Sequence, residues 1–317
     1  MEKSAVFQQP ANRASRNESE MKNDAFQVIT DRIVGLLEKG IVPWQKPWQG
    51  GEMMPRNLVS KKGYRGANVF LLHAMSFNSP FWLTFNQARE LGGCVKKGER
   101  ACPVVFWKWL EADAPGEPTG KKDVPFLRYY SVFNVAQCEG IPPDKIPDLK
   151  GSERAHSPIT EAERIVADMP KRPEIRHGGS RACYSPSFDR VDMPQPETFR
   201  SGQDYYSVLF HELTHSTGHQ SRLSRKGVAS SEGEWSAFGS TPYAREELVA
   251  EMGAAFLAGH AGIVERTIEN SAAYVQSWLQ RLKDDSKLVV QAAAQAQKAA
   301  DFVLGRQFAQ TETESVT

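Results

Sequence analysis

The sequence has few cysteines and lacks a long apolar run. Cys94, Cys102, Cys138 and Cys183 form no C-x-x-C pair, which argues against both a zinc knuckle and a disulfide framework. No apolar stretch approaches the ~20 residues of a membrane helix. The polar residues 1–20 lack the apolar centre of a secretory signal. We therefore expect a cytoplasmic protein with reduced thiols and no membrane partner.

Net charge is also nearly absent, at +1 over 317 residues, but this balance conceals an asymmetry along the chain. Residues 21–130 hold 16 basic against 10 acidic residues, whereas residues 131–317 hold 20 against 25. Five of the seven tryptophans lie in the basic half. The asymmetry predicts that one half contacts a polyanion and that the other half has a different task.

The length of 317 residues favours two domains, because one domain usually holds roughly 100–200 residues. Residues 139–160 are rich in Pro, Gly, Asp and Ser and show no apolar period, which is typical of a linker. We predict the following division: a disordered leader over 1–20, a first domain over 21–140, a linker over 141–158, a second domain over 159–306 and a polar tail over 307–317.

Periodicity and breaker residues predict an α+β fold. A helix should run from Asp24 to Gly40, since its apolar residues recur at helical spacing. Residues 102–111 and 124–135 are rich in β-branched and aromatic residues, which predicts two strands joined by a long hairpin connection. Further helices are expected over about 203–218, 241–259, 265–283 and 286–304.

The pattern H-E-L-T-H begins at His211 and ends at His215. On a helix, this spacing places two imidazoles on one face with the Glu212 carboxylate beside them. The apolar residues 205–210 should bury the helix, although a solvated helix face can show the same letters. The arrangement is typical of zinc-dependent hydrolases, in which Glu212 would take a proton from metal-bound water.

A third protein ligand should come from a helix packed across the first. Residues 246–251, E-E-L-V-A-E, offer Glu247 and Glu251, which lie one turn apart on one face. Either carboxylate could bind the metal while the other hydrogen-bonds a ligand histidine from behind. His219 lies about 12 Å along the helix from the first histidine, so we expect it to have a structural or surface role.

The basic half interleaves aromatic rings with cations, a combination that binds single-stranded DNA. Rings stack on unpaired bases, and cations contact the phosphates. The candidate DNA-binding residues are Trp44, Lys46, Trp48, Arg56, Lys61, Lys62, Tyr64, Arg65, Lys96, Lys97, Arg100 and Lys108. The alternative is that the tryptophans form a core and the lysines are merely solvated, and the half contains no named nucleic-acid motif.

Six segments, in the same order, resemble the ArdC-type antirestriction proteins of conjugative plasmids, which are related to the N-terminal region of TraC-type plasmid primases. These segments are VPWQKPW, GYRGANVFLL, YYSVFNVAQCEG, FHELTHSTGHQSRL, YAREELVAEMGAAFL and SWLQRLKDDSKLVVQAAAQAQKAADFVL. The resemblance covers nearly all of residues 21–304. It implies an N-terminal domain that binds single-stranded DNA, followed by a zincin-like metallopeptidase domain.

On this sequence, the resemblance implies His211, His215 and a glutamate of residues 246–251 as metal ligands, with Glu212 as the general base. The spacing from Glu247 to Glu251 is similar to the E-x-x-x-D of gluzincins, with Glu in place of Asp, and we favour Glu247 as the ligand. Zinc is the expected metal, and similar ligands bind Mn and Co.

The resemblance also implies protection of incoming plasmid DNA from host restriction. Three mechanisms stay open at this point. The protein could coat single-stranded DNA and also act as a peptidase, cleave a host protein with DNA binding only for targeting, or coat DNA while its metal site is structural.

Overall fold

The computed structural model describes residues 13–45, 54–113, 121–148, 157–225, 228, 241–263 and 272–306. These residues combine helices with small sheets, which confirms the predicted α+β class. All four cysteines are free thiols. Within the described part of the chain, no helix has the length and apolar content that crossing a membrane would require.

Helix α1 spans Arg13–Leu37 and therefore begins well before the predicted start at Asp24. Residues 13–20, which we had assigned to a disordered leader, are helical. No proline or glycine interrupts the chain between Arg13 and Asp24, so nothing in this stretch forces the helix to start later. Residues 1–12 lie outside the described residues, as does the predicted tail from residue 307.

The first unit contains a four-stranded sheet with the order β1-β2-β5-β4. Its elements are β1 (Arg56–Asn57), α2 (Ala67–Ala74), β2 (Phe81–Thr84), α3 (Phe85–Glu90), β3 (Cys94–Val95), β4 (Cys102–Asp113), β5 (Lys121–Asn134) and β6 (Cys138–Glu139). Strands β4 and β5 form the predicted antiparallel hairpin, in register from Cys102 opposite Val132 to Asp113 opposite Lys121. Strands β3 and β6 pair separately.

The second unit places a three-stranded sheet, ordered β7-β9-β8, beside a group of helices. Its elements are α4 (Pro158–Asp168), β7 (Glu174–His177), β8 (Cys183–Ser185), β9 (Arg190–Met193), α5 (Gly202–Ser216), α6 (Thr241–Ala261), α7 (Ala272–Asp284) and α8 (Leu288–Val303). Strand β8 lies at one edge of the sheet, and both β8 and β9 pack on α5.

One hydrophobic core joins the two units. The ring of Phe70 on α2 stacks on that of Phe256 on α6, with centroids 4.7 Å apart, and both side chains are fully buried. The Arg65 side chain forms an ion pair with Asp301 on α8. The two units therefore bury part of their apolar surface against each other.

Candidate metal centre

The two histidines lie on α5, and the residues around them fix that helix. The Ser201 hydroxyl accepts a hydrogen bond from the backbone N–H of Asp204, which satisfies one of the free donors at the helix start. Phe210 is fully buried and anchors the helix to the core. As predicted from their spacing, His211 and His215 face the same side, and their Nε2 atoms are 3.1 Å apart.

Helix α6 brings Glu247 to these two imidazoles. Its two carboxylate oxygens lie 3.6 Å from His211 Nε2 and 3.6 Å from His215 Nε2. Ligand atoms of a tetrahedral metal, each ~2.1 Å from the ion, are about 3.4 Å from one another. One ligand atom from each of the three residues fits within a 4.8 Å group, so the donor set suits a divalent cation.

A glycine allows α5 and α6 to approach closely enough for this arrangement. A Cβ atom at Gly253 would lie 2.4 Å from Thr214 Cγ2 and 2.8 Å from Thr214 Oγ1. Such contacts are far shorter than van der Waals separation, so any side chain at Gly253 would push the helices apart. The distance between Glu247 and the histidines therefore depends on this contact.

His215 is supported from behind by Glu246, a carboxylate that the sequence analysis did not single out. Its Nδ1 lies 3.3 Å from Glu246 Oε1, while Arg225 donates hydrogen bonds to both oxygens of the same carboxylate. Glu251 is also buried, and its charge helps to raise the pKa of His211. The His215 imidazole therefore lies between two neighbouring residues of α6. Its Nδ1 faces Glu246, and its Nε2 faces Glu247.

Glu212, the predicted base, is 8 % exposed and has a fixed orientation. The backbone N–H of Tyr184 on β8 donates to Glu212 Oε2 at 2.8 Å. This hydrogen bond joins the carboxylate to β8, the edge strand of the three-stranded sheet. Glu212 therefore has a structural contact in addition to its predicted chemical role, which the sequence pattern alone did not indicate.

The pKa values of His211 and Glu247 are strongly shifted from their ordinary values. Burial alone would lower the pKa of His211, but the hydrogen bond to Glu247 and the charges of Glu212, Glu251 and Glu247 raise it to about 9. Burial would raise the pKa of Glu247, yet His211 and His215 lower it to about 2. Without a metal, the carboxylates thus favour a proton on His211, and a bound cation would replace that proton.

Tyr243 lies one turn before Glu247 on α6, and our sequence reasoning missed it. Burial, the charge and hydrogen bond of Glu247 and the charge of Glu212 raise the pKa of Tyr243 to about 12. The phenol therefore stays protonated at neutral pH and is a hydrogen-bond donor beside the cluster. Its i, i+4 spacing from Glu247 was the available sequence signal.

Asp189 links β8 to the segment that follows α5 through hydrogen bonds to a residue of each. It accepts hydrogen bonds from the Tyr184 hydroxyl at 2.9 Å and from Arg222 Nη1 at 2.9 Å. His219 lies beside this network, with Nδ1 4.0 Å from Asp189 Oδ2 and 2.8 Å from Ser221 Oγ. His219 does not belong to the group of three residues that could hold a metal.

Two aromatic residues predicted to stack on DNA bases belong to the core instead. Trp44 is fully buried with its ring 6.4 Å from that of Phe70, and Tyr64 packs against Phe106 at 6.0 Å. The prediction is therefore wrong for these two rings, because packing of α1 and α2 on the sheet encloses them.

The predicted basic residues are placed differently from one another. Arg65 binds Asp301, and Arg56 is partly buried. The exposed cations are Lys61, Lys62, Lys96, Lys97 and Arg100. Lys46 and Trp48 lie outside the described residues, and for Lys108 the structure describes only the backbone on β4.

Comparison with protein families gives two successive matches along the chain. Residues 23–133 match the N-terminal domain of the anti-restriction factor ArdC. Residues 160–295 match a zincin-like metallopeptidase family. The second match contains all the residues of the candidate metal centre.

Solved structures cover almost the whole chain. The metal-free crystal structure of the antirestriction ArdC protein from plasmid R388 is 38% identical, covers 90% of this chain and 100% of its own, and superposes with a TM-score of 0.69. The Mn(II)-bound structure of that protein is 39% identical, covers 88% of this chain and 97% of its own, and has a TM-score of 0.68. The zincin-like match and this Mn(II) complex point to a divalent metal.

Two curated relatives extend the comparison. The uncharacterized protein y4eC of Sinorhizobium fredii is 36% identical over 297 residues, covering 90% of this chain and 92% of that protein. A DNA primase TraC of Escherichia coli is 36% identical over 306 residues, covering 90% of this chain but only 27% of the primase. The chain thus spans about a quarter of the length of that primase.

Proposed function

Because the chain belongs to the ArdC family of antirestriction proteins, we propose that it binds single-stranded DNA, carries a working metallopeptidase site, and protects incoming plasmid DNA from host restriction during conjugation. We place this action in the recipient cytoplasm. The observation that carries the enzymatic part is the grouping of His211, His215 and Glu247 within 4.8 Å, next to Glu212.

In this proposal the two histidines and Glu247 hold zinc, or Mn or Co in its place. The bound metal supplies a water of lowered pKa and polarises a substrate carbonyl. Glu212 accepts the proton of the attacking water through Oε1, since Oε2 is bound by the Tyr184 N–H, and then delivers it to the leaving amine. The Tyr243 phenol, which is hydrogen-bonded to Glu247, helps to orient this ligand in the proposal.

A second candidate is a protein that coats DNA and whose metal site is structural. The hydrogen bond from Tyr184 to Glu212 favours it, because this bond gives Glu212 a purpose even without catalysis. Against it, structural zinc is normally closed by four protein ligands, whereas the described residues group three. A third candidate is a metallopeptidase that cleaves a host protein and binds DNA only for targeting.

Paired substitutions at Glu212 separate these candidates. Glu212→Gln keeps an oxygen that can accept from Tyr184 but removes the base, while Glu212→Ala removes both. Each variant is tested for metal content, binding of single-stranded DNA and protection of a plasmid transferred into a restricting recipient. Loss of protection in Glu212→Gln, with metal and DNA binding retained, supports peptidase chemistry.

The opposite result identifies the structural candidate. If Glu212→Gln protects as well as wild type while Glu212→Ala loses metal or protection, Glu212 acts only through its hydrogen bond to Tyr184. If both variants protect fully, neither the base nor its hydrogen bond to Tyr184 is needed for protection. Purified protein with a bound metal but no detectable binding of single-stranded DNA would refute the DNA-binding part separately.

A further inference from the structure

Arg222 is a buried cation that lies outside the three-ligand group. It belongs to the segment that follows α5, and its side chain is only 1% exposed. Its Nε donates to the carbonyl of Ser216, at the end of α5, at 3.0 Å, and its Nη1 donates to Asp189 Oδ2 at 2.9 Å. A buried guanidinium needs such partners, because an unpaired charge away from water is strongly unfavourable. Arg222 therefore joins the end of α5 to the turn between β8 and β9.

Asp189 closes that turn in a conformation that few residue types adopt. Its backbone is left-handed, with φ 46° and ψ 51°, a region that aspartate enters more readily than most non-glycine residues. Its Oδ1 also accepts a hydrogen bond from the Tyr184 hydroxyl at 2.9 Å. Burial, and then the hydrogen bond and charge of Asp189, raise the pKa of Tyr184, so the phenol remains a donor at neutral pH. Asp189 thus connects Arg222 to β8.

Tyr184 transmits this contact to Glu212. Its side chain is buried and bound to Asp189 through the hydroxyl, while its backbone N–H donates to Glu212 Oε2 at 2.8 Å. The tyrosine also pairs with the fully buried Val191 of β9, which keeps it in the sheet. A shift of β8 would therefore move the donor that orients the Glu212 carboxylate.

These contacts form a closed path that begins and ends on α5. From Glu212 the path runs through the backbone and hydroxyl of Tyr184, then through Asp189 and Arg222, to the carbonyl of Ser216. The two ends lie one helical turn apart, a rise of about 6 Å. Strand β8 is thus attached to α5 at two points, and attachment at two points resists both rotation and sliding of the strand.

We propose that Arg222, Asp189 and Tyr184 are positioning residues that hold β8 against α5 and thereby fix the Glu212 carboxylate for proton transfer. The proposal rests on the proposed function for the reaction that Glu212 serves. The three-ligand group contains none of these positioning residues. Their loss should therefore disorder the base and slow proton transfer, while the metal stays bound.

The test follows the Tyr184 amide hydrogen in full-length protein isotopically labelled at its eight tyrosines. Comparison with Tyr184→Phe identifies the signal. Arg222→Gln and Asp189→Asn should each accelerate the hydrogen exchange of this amide about tenfold or more, because the amide opens when β8 is released. Asp189→Asn keeps the shape of the side chain, and asparagine also tolerates a left-handed backbone, so we expect this variant to fold.

Two comparisons separate positioning from general stability. Arg176→Gln breaks an ion pair with Glu174 on β7, the opposite edge strand, and should leave Tyr184 exchange within about twofold of wild type. The Tyr206 amide on α5 reports opening of the helix itself. Equal acceleration at Tyr184 and Tyr206 would assign the effect to general unfolding and overturn the proposal. Unchanged Tyr184 exchange in a folded Arg222→Gln protein would overturn it as well.

Metal content and plasmid protection measure the consequence for function. Arg222→Gln should retain its metal and lower protection about tenfold or more, because a displaced proton acceptor slows the reaction. Loss of the metal in Arg222→Gln, or full protection by it where Glu212→Gln loses protection, would contradict the positioning role. If Glu212→Gln itself protects fully, the peptidase part of the proposed function fails, while Tyr184 exchange still decides whether the network holds the carboxylate.

Discussion

Arg225 and Glu246 form a buried, two-point ion pair directly behind the metal-ligand candidate His215. Arg225 Nε lies 3.1 Å from Glu246 Oε2, and Nη2 lies 2.5 Å from Oε1. The same Oε1 is 3.3 Å from His215 Nδ1. Glu246 therefore favours the tautomer with hydrogen on Nδ1, which leaves the Nε2 lone pair for a metal.

This relationship predicts that Arg225 and Glu246 set metal affinity without binding metal themselves. Glu246→Gln and Arg225→Gln should each weaken Mn²⁺ and Zn²⁺ binding about 10–100-fold, as loss of such a partner typically does. Competition with a fluorescent chelator measures the affinity. Arg245→Ala, an exposed neighbour that bonds Gln291, is the control. Unchanged affinity in a folded Glu246→Gln protein would show that His215 needs no such support.

Two glycines in helices should respond to alanine in opposite directions. Gly253→Ala places a Cβ 2.4 Å from Thr214 Cγ2 and should lower the free energy of unfolding by about 1–3 kcal/mol. Gly35→Ala on α1 meets nothing within 4 Å and should raise it by about 0.5–1 kcal/mol. Urea denaturation measures both. Equal effects of the same sign would contradict the close approach of α5 and α6.

The shared core predicts that the two units unfold together. Phe70→Ala should cost about 3–5 kcal/mol and lower the midpoint of a single calorimetric transition, because Phe70 stacks on Phe256 of the other unit. Phe85→Ala, at an exposed ring, should leave that midpoint nearly unchanged. Two separate transitions, with only one sensitive to Phe70→Ala, would be the contrary outcome.

His260 should make stability depend on pH. It accepts a hydrogen bond from Arg306 at 3.2 Å, so it is neutral in the folded protein. Burial and the charges of Arg306 and Arg65, opposed by Glu161, lower the pKa of His260 from 6.5 to about 4. Between these values the unfolded chain binds a proton that the folded chain excludes, so the unfolding free energy falls as pH falls.

Urea unfolding of wild type and His260→Gln on both sides of pH 6.5 tests this. Wild type should lose more stability on acidification than the variant, which lacks the titrating group. An identical loss in both proteins would assign the acid sensitivity to other residues.

Local patterns were sufficient to predict several parts of the fold and the centre. Helix α5 and the shared face of His211 and His215 follow from the spacing of residues within one helix. The β4–β5 hairpin follows from two runs of β-branched and aromatic residues. Each of these features depends on residues close together in the chain.

The features we missed depend on how distant elements pack. Which glutamate of α6 supports His215 is decided by the rotation of that helix against α5, and a difference of one residue turns a side chain by about 100°. Arg225 comes from a different segment and carries no local signal. Likewise, no pattern within the sequence decides that Trp44 is buried while Tyr129 is exposed.

The most direct test of the account is the metal content of purified wild type, Glu247→Ala and Glu251→Ala, measured by elemental analysis after equilibration with Zn²⁺ or Mn²⁺. Glu247 lies 3.6 Å from both His211 Nε2 and His215 Nε2, and Glu251 is not in the three-ligand group. We predict one metal per chain in wild type, nearly complete loss in Glu247→Ala and retention in Glu251→Ala. Loss only in Glu251→Ala, or no metal in wild type, would contradict the proposed centre.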